Sequence, residues 1–169
     1  MISVQVSSLG QTAELAGAIA PRLRPRDVIC LDGELGAGKT AFVKELARYF
    51  GVIGEINSPT FTLENRHQLE PLDPGGPRLL VHCDLYRPGE DARRDLLPAM
   101  LEARDEGALL AIEWADPVRD WLTPYLQLTA RLVPGEDGTR REFTLAAVPE
   151  GWPPMDVVAA EWQQIGDPT

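Results

Sequence analysis

The spacing of apolar side chains changes period repeatedly along this chain, and each change marks an element. ISVQV, residues 2–6, alternates apolar with polar as a half-buried strand does. SLGQTAELAGAIAPRL follows, with Leu15, Ala18, Ile19 and Leu23 at helical spacing before a proline-rich break. DVICLDG, residues 27–33, is a short apolar run closed by glycine, the pattern of a strand buried on both faces. From Lys39, KTAFVKELARYFG sets Phe42, Val43, Leu46, Ala47 and Phe50 on one helical face and stops at Gly51, a natural left-handed cap.

The second half adds hairpins. FTLENRHQ, residues 61–68, alternates through Phe61, Leu63, Asn65 and His67, and the turn LEPLDPGGP leads into RLLVHCD, which predicts an antiparallel pair. PGEDARRDLLPAMLEARDEG carries Leu96, Leu97, Met100 and Leu101 at helical spacing, with Pro98 expected to kink the helix or divide it in two. ALLAIEW, residues 108–114, is the most apolar run and reads as a central strand. YLQLTARLV and RREFTLAAV, joined by PGEDGT, predict a second hairpin. After Pro149, Val158, Trp162 and Ile165 suggest a short terminal helix with a frayed end. Together these elements predict an α/β fold: a mixed central sheet with helices on both faces.

With 169 residues, 44% of them hydrophobic, one domain with a sizeable core is the simplest organisation, and we expect residues 1–147 to form it and 148–169 to extend it. No run approaches the roughly 18 apolar residues of a membrane span, and MISVQVSSLGQT lacks the layout of a signal peptide, so a cytoplasmic protein without a membrane partner is expected. Cys30 and Cys83 sit in apolar runs rather than a C-x-x-C pair and read as buried free thiols. A net charge of −10 with scattered arginines argues against nucleic acid being held by this chain alone.

Chemistry concentrates at LDGELGAGKTAF. Gly33, Gly38, Lys39 and Thr40 satisfy G-x-x-x-x-G-K-[ST], placed between a predicted strand and a predicted helix. Leu35, Gly36, Ala37 and Gly38 then present backbone N–H groups to phosphates, helped by the dipole of the following helix. Lys39 supplies the cation and Thr40 an oxygen ligand for Mg2+. Two apolar strands end in carboxylates, Asp84 and Glu113, where an open α/β sheet binds its ligands, so these are the candidate metal and water acids. Thr60, in NSPTF, is placed to sense a γ-phosphate, although Pro59 also fits an ordinary turn. Arg87 suits either phosphoryl charge or an exposed ion pair. Trp114 fits core, interface or site, while His67 and His82, inside strands and outside any metal-ligand spacing, read as structural. The guanine signature N-K-x-D is missing from the chain, which favours ATP over GTP.

GELGAGKT, SPTF, HCDLYR and IEW, in this order and at these spacings, resemble one family closely: TsaE (YjeE), the small bacterial ATPases of the tRNA threonylcarbamoyladenosine pathway. The resemblance covers residues 2–147 and implies a P-loop NTPase-like three-layer sandwich. It further implies ATP and Mg2+ as cofactors, the TsaD and TsaB proteins as partners, and tRNA involved only indirectly, with ATP use serving assembly or turnover of the complex. By motif match it gives Lys39 and Thr40 as phosphate and Mg2+ contacts, Glu113 as a metal-site acid and Asp84 as a second acid for hydrolysis. It raises the weight of Trp114 as a site residue and sets Thr12 and Arg141 beside the adenosine. The family usually carries a second hydroxyl after G-K-T; this chain has Ala41, leaving a backbone N–H and weaker expected nucleotide binding. A nucleotide-gated binding module without turnover and a small P-loop kinase are the competing readings; RRD at Arg93 is thin support for the kinase.

Overall fold

The computed structural model defines residues 1–59, 62–86, 90–133 and 140–165, and within these all side chains other than those of 90–94, 147 and 155. Thr60, Phe61, Arg87 and the hairpin tip 134–139 therefore lie outside the described residues, as does the side chain of Arg93.

Seven strands form one sheet: β1 (Ile2–Val6), β2 (Val28–Asp32), β3 (Glu64–Gln68), β4 (Leu79–Asp84), β5 (Leu109–Glu113), β6 (Leu126–Leu132) and β7 (Arg141–Ala147). Their order is β1-β7-β6-β2-β5-β4-β3. β2 pairs in parallel with β5 and β6, and β4 in parallel with β5. The pairs β1–β7, β6–β7 and β3–β4 are antiparallel. Four adjacent parallel strands thus end at a common rim, and the hairpins complete the sheet at its edges. Strands β2, β4 and β5 bury nearly every residue, as their unbroken apolar runs require when both faces are covered.

Helices cover the two faces unequally. Leu15 and Ile19 of α1 (Leu9–Ile19), Phe42, Val43 and Leu46 of α2 (Lys39–Tyr49), and Val158 and Trp162 of α4 (Met155–Trp162) share one core with Ile29, Leu31, Leu128 and Phe143 of the sheet. On the opposite face, Leu97, Met100 and Ala103 of α3 (Glu90–Asp105) pack against Val28, Cys30, Val81, Leu110 and Ile112. The predicted three-layer α/β arrangement is the one observed.

Two local expectations differ. α3 runs as one helix through Pro98 rather than as two. The proline ring lies on the exposed face, where the carbonyl freed four residues earlier can accept a bond from water. β3 starts at Glu64, not Phe61. Leu63 adopts φ +65° and its N–H bonds back to Pro59 O at 2.6 Å, closing a turn that delays the strand.

The segment after Pro149 docks on the body of the protein. α4 lies against β1 and α1, Trp162 is 1% exposed, and Arg22 donates two hydrogen bonds to the Glu161 carboxylate, at 2.7 and 2.6 Å. Truncating so large a buried ring leaves a cavity, so Trp162→Ala is expected to cost about 3–5 kcal/mol, read as a lower urea midpoint at unchanged slope. Cys30 and Cys83 are free and fully buried, as expected. Burial pushes the Cys30 thiol up to about 12 and raises Cys83 as well. Neither is then a thiolate near neutral pH, and both should resist iodoacetamide at pH 8 until the protein is unfolded; ready alkylation of the native protein would contradict this burial.

Candidate active site

The site assembles at the rim where the parallel strands end. β2, the middle strand, stops at Asp32, and the chain turns through Gly33, Gly36 and Gly38 at φ +131°, +81° and +100°. At Gly33 a Cβ would stand 1.8 Å from the Ala130 carbonyl oxygen of β6, so only glycine lets the loop leave the sheet here. No side chain caps α2, whose N-cap is Gly38; its first N–H groups and positive dipole end are therefore available to an anion. A cleft of about 580 Å3 opens beside the loop.

Lys39 is buried, and its Nζ donates to Gly33 O at 2.7 Å and Glu34 O at 2.8 Å. The same ammonium sits 4.2 Å from the ring centroid of Trp114, which supplies the face of an aromatic ring to the cation. Burial holds the Lys39 pKa below the ordinary lysine value, against the opposing pull of Glu113, Asp84, Asp32 and Glu34. Trp114 adopts φ +60°, unusual for a residue with a large side chain, and stacks on Tyr86 with centroids 4.8 Å apart. Its N–H bonds to Leu31 O at 2.9 Å, which ties the turn after β5 to β2. Trp114 thus lines the cleft while also packing against the core on the α3 side of the sheet.

The two acids stand side by side, since Asp84 and Glu113 are register partners across β4 and β5. Thr40 Oγ1 donates to Glu113 Oε1 at 2.7 Å, joining the end of the phosphate loop to the strand acid. Asp84 Oδ1 accepts from the Tyr86 N–H at 3.0 Å, and Ser58 Oγ lies 3.5 Å from Asp84 Oδ2. His82 Nε2 also meets Glu113 Oε1, at 2.9 Å, with the ring fully buried. His82, read as structural from the sequence, is thus in contact with one of the two strand-end acids. His82 and Asp84 alternate onto one face of β4, and strand periodicity already places them together.

Thr12 and Arg141 both line the cleft from its far wall. Ser8 caps α1, its Oγ accepting from the Gln11 N–H at 3.2 Å, and Thr12 Oγ1 donates to Ser8 O at 3.1 Å, which fixes that wall. Arg141 runs alongside Gly38: a Cβ there would meet its Cδ at 3.2 Å. Leu35, Gly36, Gly38, Thr40 and Ala41 line the cleft too, whereas Ala37 is fully buried and its N–H closes the loop on Glu34 O at 3.2 Å. The sequence reading missed Ser7, Leu9 and Ser58 as cleft residues; neither a motif nor a charge marks the first two, whereas Ser58 opens the SPTF motif.

The oxygen donors fit a hard divalent cation. Thr40, Glu113 and Asp84 offer one hydroxyl and two carboxylates around a loop built for phosphate, a set suited to Mg2+, which keeps waters and shares phosphate oxygens rather than demanding a full protein cage. Among the described residues, no group of three or more His, Cys, Asp or Glu side chains could hold a metal by itself. No helix among them is long and apolar enough to cross a membrane.

A glycine loop between the middle strand of a largely parallel sheet and an uncapped helix, with a lysine, a threonine and strand-end acids converging on it, defines a P-loop NTPase-like protein. More narrowly, the chain belongs to the TsaE family: the family model described as threonylcarbamoyl adenosine biosynthesis protein TsaE matches residues 6–143. The tRNA threonylcarbamoyladenosine biosynthesis protein TsaE of Rickettsia conorii is 34% identical over 122 residues, covering 72% of this chain and 65% of that protein. The chain thus spans a little under two thirds of that relative's length. The TsaE protein of Streptomyces coelicolor is 34% identical over 148 residues, 85% of this chain and 95% of its own. That of Mycobacterium tuberculosis is 36% identical over 116 residues, 66% and 67% respectively. In fold, the chain is similar to the crystal structure of Bacillus subtilis YdiB, with a TM-score of 0.69 at 24% identity over 96% of this chain and 94% of that one.

Proposed function

We propose that this protein is a Mg2+-dependent ATPase required for forming threonylcarbamoyladenosine at the tRNA adenosine next to the anticodon. In this reading it works with TsaD and TsaB in the cytoplasm, ATP binding and hydrolysis driving assembly or turnover of their complex, and touches tRNA only through them. The pathway rests on membership of the TsaE family. The chemistry rests on one observation above others: the Thr40 hydroxyl and the Glu113 carboxylate are bonded at 2.7 Å at the mouth of the phosphate loop.

Backbone N–H groups of Leu35, Gly36 and Gly38 to Ala41 would receive phosphate oxygens, that of Ala37 being turned to Glu34 O, and Lys39 would exchange its two loop carbonyls for phosphate. Mg2+, held by Thr40 with Glu113 and Asp84, would supply positive charge to the phosphates. Asp84, anchored by the Tyr86 N–H, would accept a hydrogen bond from the attacking water and orient it. Thr12, Trp114 and Arg141 also line the cleft, and an adenosine would lie against them. Thr60 completes the set as a γ-phosphate sensor.

A nucleotide-gated switch without turnover is the second reading, favoured by the engagement of Lys39 with its own loop, which a nucleotide must displace. Single-turnover hydrolysis with and without TsaD and TsaB separates the two: acceleration in the complex is expected, and none would leave the switch. Cells depleted of the protein should lose threonylcarbamoyladenosine from their tRNA nucleosides by mass spectrometry. Normal levels there would overturn the pathway assignment.

A further inference from the structure

We propose that His82 is a positioning residue for Glu113: it holds one carboxylate oxygen from below so that the other is presented to the metal and water of the cleft. The inference rests on the ATPase reading above. Oε1 of Glu113 accepts from Thr40 Oγ1 at 2.7 Å and faces His82 Nε2 at 2.9 Å, whereas no hydrogen bond within the described residues engages Oε2. Two donors arriving from different elements, one from α2 and one from β4, fix both the rotation and the tilt of the carboxyl plane. The single hydrogen bond from Thr40 would leave the carboxyl plane free to turn about it.

His82 reaches Glu113 diagonally. Across β4 and β5 it is the register partner of Ala111, whose methyl leaves room for the ring to lean toward the acid two residues on. A carboxylate only accepts, so Nε2 carries the hydrogen, while Nδ1 is buried without a partner among the described residues. Burying a polar ring with one nitrogen unpaired costs stability that an apolar side chain in this strand would not. The grip on Glu113 is what the imidazole supplies and leucine cannot. Partners that orient a ligating carboxylate typically change metal affinity by about 10–100-fold when removed.

The test is a pair of titrations: ADP in EDTA by calorimetry, and Mn2+ into the protein–ADP complex by electron paramagnetic resonance. His82→Leu is expected to bind ADP in EDTA as the wild type does, but to need about 10–100-fold more Mn2+. His82→Gln, whose amide nitrogen reaches the depth of Nε2, should restore the Mn2+ requirement. His82→Asn, one methylene shorter, should not. Should the leucine variant fail to fold, the Gln and Asn pair decides, and equal Mn2+ requirements in those two would overturn the proposal. So would an unchanged requirement in a folded His82→Leu, while leaving the ATPase reading intact. Absence of ADP binding by the wild type would overturn that reading, and this inference with it.

Discussion

Gly33→Ala is expected to abolish nucleotide binding and to destabilise the protein by on the order of 4 kcal/mol. Two costs add at this one atom. The residue sits at φ +131°, where an L side chain is strained, and its Cβ would lie 1.8 Å from Ala130 O and 2.9 Å from Ala130 C. Those are backbone atoms of β6, a strand paired on both sides, so they cannot step aside as a flexible side chain could. The loop must instead lift away from the sheet, and Gly33 O and Glu34 O then leave Lys39. Gly36→Ala is the matched control. It has positive φ as well, but its Cβ would meet nothing within 4 Å, so only strain of about 1–2 kcal/mol remains. Urea unfolding and ADP titration of both variants check this; equal losses would refute the account of the loop exit.

Lys39→Ala and Glu113→Gln are expected to fail at different steps, although the two side chains lie in one cleft. Lys39 is the only cation in the phosphate loop itself, and charge-assisted bonds of this kind contribute about 1.5–3 kcal/mol. Its removal should weaken ATP binding about 10–200-fold. Glu113 stands behind the threonine and contributes no donor to phosphate, so Glu113→Gln should bind ATP nearly as well yet hydrolyse it about 100- to 1,000-fold more slowly with TsaD and TsaB present. Gln preserves the shape of the side chain while removing its charge. Parallel binding and single-turnover measurements on the two variants make the comparison. Wild-type turnover by Glu113→Gln would sink the assignment of the acid, and tight binding by Lys39→Ala that of the cation.

What the sequence made legible was whatever a short window specifies. The P-loop spacing, the two strand-end acids and the alternation of both hairpins are local patterns, and they appear where expected apart from the late start of β3. Contacts set by strand order were harder to see. His82 and Glu113 are 31 positions apart and meet only because β4 and β5 are parallel neighbours in a particular register. The docking of α4 on β1 and α1 has the same origin: its apolar spacing foretold a helix but not the face it covers. At Pro98 the sequence left a kinked helix and two short helices open, and only the division is excluded, since a proline is tolerated at a solvent-facing position.

The antiparallel pairing of β1 with β7 has a consequence for the order in which the molecule can be built. Ile2 faces Leu145 and Val6 faces Arg141, so β1 leaves the ribosome more than a hundred residues ahead of its partner. The wall of the cleft carrying Ser8 and Thr12 hangs from that pairing, beside an arginine made more than a hundred residues later. Contacts so distant in sequence close slowly. During synthesis the phosphate loop and its two acids can come together on the parallel strands while the opposite wall still waits for the closing hairpin. A nascent chain would therefore acquire a place for phosphate before it has a complete place for a nucleoside.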